Sequence, residues 1–553
     1  MSIQNCCVNS EIDAISSDIK ANLASRLEDA YSHKEILSYG KVAYLDSYGY
    51  EKDGIYNHFL YKNALDFVDL YSDFAGLDLA KYCALILPMS VDEVELWRHR
   101  NKIYDFLDNG GVVISFCHNY TGILPNNAGY IQSPVEIRDR EVKLTSHAIT
   151  QGVREYDINF RRGVKGFFNR GYFEIFEQLG VCHTEPLGEV SQSNKNRDIS
   201  VSAKPQYDKE IQSQYDNVIS PSFADGDKGG GYKPFEIFLR DSEDKCVGYI
   251  DRISIQGTIL ATAGTDLLTY GVFENNSARR LGLNLLKWLG EELKAKTECQ
   301  KWRTSQSIIA SERGKRGNPL VEQSGRFHFD KHIIASQTSP NPLRKNPKLK
   351  NAIITGGASY ERNFFYNKDA KYAHFFDERI YHKDALVADF SGLDYIVLAS
   401  RANPRFLLPC KEKFLDFLQK GGSIVSFGEI TQGYLPNIAW KEYGVNFWWW
   451  LSQGADMSFE IGEYGQSLFS KMELFTAKWH YHGAFYPPKD SQMILANELG
   501  EAIIYKDISH KGGLYVTSLD PDFHLGQGFM PKTEPFFDNF MEWVEEDILD
   551  SRM

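Results

Sequence analysis

Along much of this chain, apolar residues recur either at helical spacing or as short unbroken runs. Two stretches show both patterns in the same order. Tyr104 to Tyr130 reads YDFLDNGGVVISFCHNYTGILPNNAGY, and Leu415 to Lys441 reads LDFLQKGGSIVSFGEITQGYLPNIAWK. The segments NKIYDFLD and KEKFLDFLQ carry apolar residues on one helical face and predict amphipathic helices. Two glycines follow each and predict a helix end with positive φ. The runs VVISF and SIVSF then predict strands buried on both faces, as in a parallel sheet. Gly110-Gly111 corresponds to Gly421-Gly422, Ser115-Phe116 to Ser426-Phe427, Gly122 to Gly433 and Leu124-Pro125 to Leu435-Pro436. The chain reads as one domain duplicated and diverged.

The flanks extend the repeat. Upstream stand DFAGLD with CALILP, and DFSGLD with YIVLAS. The halves open with KVAYLDSYG and NAIITGGASY, each a strand running into a glycine-containing loop. They close with GTILATAGTDLLTYG and GGLYVTSLDPDFHLG, each followed by an amphipathic helix containing Asn-x3-Trp (Asn284 and Trp288; Asn539 and Trp543). Strand and helix alternate throughout, which predicts an α/β fold of tandem doubly wound, flavodoxin-like parallel-sheet domains. The expected boundaries are a helical extension over 1–38, a first domain over 39–296 with an insert at about 180–245, a connector over 297–347 and a second domain over 348–553. Within the insert, SQSNKNRD and SFADGDKGGGYKP read as exposed loops.

Composition narrows the functional classes. Hydrophobic residues make up 42% and charged residues 24% of the 553 residues, as in an ordinary globular protein. The net charge of -13 argues against a nucleic-acid-binding surface, although KWRTSQSIIASERGKR in the connector is locally basic. No apolar run is long enough for a membrane span, and no signal peptide is visible. Eight scattered cysteines fit a reducing cytoplasm better than a disulfide scaffold. A homo-oligomer or a larger protein complex is compatible with all of this.

Four features carry a resemblance to a known family: the Gly-Gly strand ending at a tight turn, DREVKLTSHAITQGV (Asp139 to Val153), TSLDPDFHLG (Thr517 to Gly526) and the closing Asn-x3-Trp helix. Together they resemble the class I glutamine amidotransferase-like superfamily, nearest to trehalose-utilisation-like and β-galactosidase trimerisation-like domains. The resemblance implies a nucleophilic cysteine after the Gly-Gly strand and a later histidine as its base. Cys117, followed by His118, occupies the first position in the first half; Gly428 and Glu429 occupy it in the second. His480 and His482 in AKWHYHGAFYPP stand near the expected histidine in the second half, whereas the first half has INFRRGVKGFFNRGYF there. Neither half holds a full triad by itself. A composite site pairing Cys117 with His480 or His482 requires the C-terminal edges of the two sheets to face each other.

Three further groupings bear on chemistry. His480, His482, Asp520, Asp522 and His524 alternate along extended stretches and form a candidate divalent-metal set, with a hydrogen-bonded helix cap as the competing reading. Gly356, Gly357 and Arg362 follow the first strand of the second half and form a candidate anion or cofactor loop, of no named cofactor. Trp448, Trp449 and Trp450 suit an interface or a sugar-like ligand. The function expected is binding of a small polar ligand, sugar-like or nucleotide-like, on degenerate catalytic positions, or a part in a larger assembly. The alternative is a hydrolase using Cys117 or a metal held by the second half.

Overall fold

The computed structural model describes residues 33–49, 51–125, 129–165, 169–173, 235–273, 275–306, 348–362, 371–372, 375–445 and 447–553. The loop stretches SQSNKNRD and SFADGDKGGGYKP, and most of the basic connector, lie outside these residues.

Among the described residues, each half builds one ten-stranded sheet. In the first, strands Leu65–Asp69, Lys41–Asp46, Tyr82–Leu87, Val112–Ser115 and Thr258–Thr262 run parallel in that order. In the second, Glu378–Tyr381, Asn351–Thr355, Tyr395–Leu398, Ser423–Phe427 and Leu514–Thr517 do the same. The duplication therefore extends to strand order and register.

The tandem α/β architecture is as expected, but the sheets are mixed rather than parallel throughout. Beyond the last parallel strand, Cys246–Asp251 and Ala502–Asp507 turn antiparallel and pair with further antiparallel strands. The cause is local turn chemistry. Asp241 Oδ1 accepts the amides of Glu243 and Lys245, closing a tight hairpin between Phe235–Asp241 and Cys246–Asp251. Asn497 Oδ1 does the same for Leu499 and Glu501, between Gln492–Ala496 and Ala502–Asp507. Asx turns of this kind join antiparallel neighbours without a crossover helix. Phe235–Asp241 consequently belongs to the shared fold, although it falls within the range assigned to the insert.

The Gly-Gly signature has one cause at each position. Gly110 and Gly421 take φ of 89° and 100°, the left-handed helix end. A Cβ at Gly111 or Gly422 would lie 2.3 Å from the ring of Phe106 or Phe417, which covers the turn. Lys102 and Lys413 secure the same two helices by donating to loop carbonyls, those of Phe74, Ala75 and Leu77 and of Ala385, Leu386 and Ala388. The closing helix Asn276–Gln306 ties the HAITQG turn to the sheet: Asn284 Nδ2 donates to the carbonyls of Ile149 and Gln151, both at 2.9 Å.

The C-terminal edges of the two parallel arrays abut. Asp92 caps the helix Glu93–Arg98 that follows the third strand of the first half. Its Oδ2 also accepts the Tyr381 hydroxyl of the second half at 2.8 Å. Glu95 pairs with Lys383 (2.7 Å) and Arg98 with Asp384 (3.2 Å). Reciprocally, Arg405, after the third strand of the second half, pairs with Asp69 at 2.8 Å.

Candidate functional site

Parallel α/β sheets place their chemistry where strands end and loops begin. Each half has such an edge, and the two have been filled differently.

In the first half the edge is closed. Cys117 is fully buried, with Sγ 3.2 Å from Ser115 Oγ. Burial, reinforced by the neighbouring Glu93 carboxylate, pushes its thiol well above the ordinary range. That is the opposite of an activated thiolate. His118 lies flat on Tyr130, ring centroids 3.7 Å apart and planes 4° apart. Burial, then the charges of Arg362 and Arg170, hold it well below its usual pKa. Cys117 and His118 stand side by side at this closed edge, each turned to a neighbour within the first half. Glu93 accepts the Thr121 amide at 3.3 Å, so the turn after Cys117 is covered by a side chain of this chain. Burial raises the Glu93 carboxyl to about 7.

The loop with Gly356 and Gly357 supplies the lid of this closed edge. The Gly356 amide already donates to Glu361 Oε1 (2.7 Å), and Ala358 donates to Oε2 (2.8 Å). The Gly357 carbonyl accepts from the Tyr120 hydroxyl (2.7 Å) and the Glu93 amide (2.9 Å). A Cβ on Gly357 would lie 2.1 Å from Asp92 Oδ1. Arg362 donates to the Tyr130 carbonyl at 2.7 Å. The glycines and the arginine expected to cradle an anion join the two halves here. Glycine is needed there because one backbone presses on the other half.

In the second half the edge keeps a tight crevice lined by Ser400, Arg401, Gly428, Glu429, His482, Ser518 and Asp520. Strand register puts Gly428 and Glu429 where the first half has Cys117 and His118. His482 Nδ1 meets Glu429 Oε1 at 2.6 Å. Burial opposes ionisation of Glu429, but the hydrogen bond from His482 and the charge of Arg401 outweigh it and hold the carboxyl below its usual range. Arg401 stands 3.6 Å from both Glu429 and Asp520. A wider groove beside Tyr39, Lys102 and Lys296 lies against Gly110 and Gly111, away from this edge, and is lined by no buried side-chain polar atom lacking a partner.

Behind the cleft, Asp520 accepts Trp479 Nε1 at 3.1 Å and sits 3.2 Å from His524 Nε2. Burial works against its charge, yet His524 and Arg401 hold it well below the ordinary carboxylate range. Asp522 accepts the Ser400 amide at 2.8 Å, and burial raises it to about 6. His480 packs edge-on against His524 at 4.9 Å and against Phe447 at 4.8 Å. Burial, then His524, lowers it to about 3.

The structure thus brings His480, His482, Asp520, Asp522 and His524 into one region, but not as a metal cage. Among the described residues, no group of three or more His, Cys, Asp and Glu side chains is arranged to hold a metal ion. His482 faces Glu429, Asp522 faces the Ser400 backbone, and Asp520 faces Trp479 and His524. The composite pairing of Cys117 with His480 or His482 has its precondition, since the strand edges meet. Cys117 nevertheless makes its contacts with Ser115 and Glu93, and the histidines make theirs with Glu429, Phe447 and His524. Sequence reasoning placed Glu429 after the Gly-Gly strand without giving it a role, and missed Ser400, Arg401 and Ser518. Their only signal was position, immediately after predicted strands.

No helix among the described residues is long and apolar enough to cross a membrane. No protein-family model and no curated protein sequence matches the chain. Among solved structures, a cytoplasmic protein from Salmonella typhimurium is similar over 36% of this chain and 98% of its own, at 10% identity and TM-score 0.24. A protein described as part of a GMP synthase, from Thermoplasma acidophilum, is similar over 37% of this chain and 95% of its own, at 13% identity and TM-score 0.24. A β-galactosidase from Bacillus circulans is similar over 34% of this chain and 30% of its own, at 11% identity and TM-score 0.19. Likenesses at these scores establish no family for the chain, and the site has to be interpreted from its own residues.

Proposed function

We propose that this tandem α/β protein binds a small polar ligand in the second-half cleft, and that the first half serves as the scaffold against which that cleft is held. One observation carries the reading. The side-chain atoms Ser518 Oγ and His482 Nε2 are buried in the cleft wall and have no hydrogen-bond partner. A buried donor or acceptor left unpaired costs about 1–3 kcal/mol, so such atoms converging on one cleft mark where a polar group is to be received. Both signs of charge are present, Arg401 against Glu429 and Asp520, which suits hydroxyls or an amide better than a bare anion. The exposed ring of Phe447 stands beside His482, and an aromatic rim suits a sugar-like ligand. The amidotransferase-like resemblance agrees with a crevice at this edge but supplies no substrate. A cytoplasmic setting, with self-association or a protein partner, is compatible with the reading.

The test is a thermal-shift screen of the full chain against monosaccharides, sugar acids and nucleosides, read together with Trp479 fluorescence. At a hundredfold excess over Kd a single-site ligand stabilises by about 2.7 kcal/mol. The expected result is a shift that disappears in Arg401→Ala. A shift of equal size in that variant places the ligand elsewhere and defeats the proposal.

A further inference from the structure

The turn at Gly356-Gly357 is held between two carboxylates, one from each half. On its own side, Glu361 Oε1 accepts the Thr355 hydroxyl and the Gly356 amide, both at 2.7 Å, and Oε2 accepts the Ala358 amide at 2.8 Å. On the far side, a Cβ at Gly357 would lie 2.1 Å from Asp92 Oδ1 of the first half. Both carboxylates are buried. Among the described residues, no Lys or Arg side chain pairs with either; the cationic partner nearest Asp92 is His382, with Nε2 3.4 Å from Oδ2. His382 Nδ1 already accepts the Asn403 amide at 3.2 Å, so the ring has one proton to offer, and Asp92 faces it. Tyr71 and Tyr381 also give their hydroxyls to Asp92. Arg362 of the same turn reaches away to the Tyr130 carbonyl, with its charge toward Glu93.

Two carboxylates in one dry joint do not both ionise cheaply. Asp92 keeps its charge, because His382, two hydroxyls and the Glu95 amide are all turned to it. Burial and the charge of Asp92 then outweigh the three donors around Glu361 and raise its carboxyl to about 8. Part of that burial is supplied by the other half. Ser359 donates to the Met89 carbonyl at 2.9 Å, and the Tyr120 hydroxyl and Glu93 amide reach the Gly357 carbonyl at 2.7 and 2.9 Å. Parting the halves gives Glu361 water and takes Asp92 away, so the open form titrates near the ordinary value of 4.5.

We propose that this joint is a proton-operated latch: a proton on Glu361 keeps the Gly356-Gly357 turn seated on the first half, and release of that proton to solvent lifts the turn, with Arg362, off the first edge while both halves stay folded. Nothing in the latch depends on what the second-half crevice binds. Below about 4.5 the closed and open forms both hold the proton, and the closed form has its full advantage. Between about 4.5 and about 8 only the closed form holds it, so the ratio of closed to open falls tenfold per pH unit. Above about 8 neither holds it, and the ratio is level.

The Glu93 amide reports the state of the latch. It begins the helix Glu93–Arg98, where an amide has no partner within the helix, and its acceptor is the Gly357 carbonyl across the joint. Hydrogen–deuterium exchange of the full-length chain, resolved to this amide and divided by the intrinsic rate at each pH, measures its protection. Protection is expected to fall about tenfold per unit between about pH 5 and 8 and to level above that, while the amides of Val112–Ser115 keep theirs. Glu361→Gln is expected to remove the slope, and Asp92→Asn to end it at lower pH. Protection independent of pH in wild type overturns the latch. So does a slope that survives in Glu361→Gln, or one that vanishes in Glu93→Gln, whose carboxyl faces the Thr121 amide within the first half. An equal fall at Val112–Ser115 reports unfolding of the half and overturns it as well. The wild-type profile needs no variant, so a Glu361→Gln chain that failed to fold would leave the test in place.

Discussion

The two strand edges of this molecule began as the same surface and now differ in what covers them. At the first, Glu93 lies over the turn after Cys117, Tyr130 stacks on His118, and the second half inserts Gly357 and Arg362 from outside. At the second, Glu429, His482 and the two serines frame a crevice. Buried polar atoms without a partner occur at both edges, Glu93 Oε1, His118 Nδ1 and Asn119 Nδ2 at the first and His482 Nε2 and Ser518 Oγ at the second. The lesson concerns duplication. Once two copies pack edge to edge, one edge can be given over to joining them, and its partner is then free to keep a site. An inherited cysteine survives at the closed edge as a buried, small and weakly polar side chain, consistent with the usual state of buried thiols.

The comparison is most severely tested at the joint itself. Asp92 is a buried helix cap that also receives hydroxyls from Tyr71 and Tyr381. Asp92→Ala is expected to cost about 3–5 kcal/mol, as when one partner of a buried charged network is removed. Chemical denaturation would show it, together with loss of a single cooperative transition as the halves separate. A loss below about 1 kcal/mol would mean that the edges are not held together in the way described.

A second test uses pH. Burial raises Glu361 to about 8, despite hydrogen bonds from Thr355, Gly356 and Ala358. Between its ordinary value near 4.5 and about 8, the folded chain therefore binds more protons at this site than the unfolded chain. Stability contributed by the protonated form falls as pH rises through that window. Glu361→Gln is expected to flatten this decline by up to a few kcal/mol, measured as melting temperature against pH. Asp520 has the opposite sign: its carboxyl is held low, so its contribution is present above about 3.9 and is lost as pH falls through the folded value.

Restoring the missing side chain gives a smaller effect. Gly428→Cys puts a Cβ against Ser400 at a positive φ and is expected to cost about 1–3 kcal/mol. A variant as stable as the wild type would show that the Ser400 side chain does not fill that position. The smallest effect belongs to the original cysteine. Cys117→Ala is expected to cost roughly 1 kcal/mol, about the loss of one small buried group, and to leave ligand binding in the crevice unchanged. Native Cys117 should resist iodoacetamide until denaturant unfolds the chain.

Much of the architecture was legible from local pattern. Gly110-Gly111 and Gly421-Gly422, the helices before them and the apolar strands after them are all set by residues close in sequence, so periodicity exposes them. The antiparallel strands escaped because Asp241 and Asn497 each close a hairpin with a single side chain, and their neighbours carry apolar runs much like those of the parallel strands. The candidate site was only half visible. His480, His482 and Asp520 stood out by residue type and Glu429 by its place in the repeat, whereas Ser400 and Arg401 are common residues with no motif around them.

The sequence by itself determined that there are two copies, where their parallel strands and the helices before them fall, and that the residue following the Gly-Gly strand differs between them, Cys117 against Gly428. These follow from short-range patterning and from comparing one half with the other. Only the tertiary structure decided which edge is closed and which keeps a cleft. That outcome depends on residues hundreds of positions apart, such as Tyr120 with Gly357 and Arg405 with Asp69, whose proximity no local pattern encodes. The same is true of Gly428 and Ser400: the glycine was plain in the sequence, but the side chain that fills its space comes from the neighbouring strand.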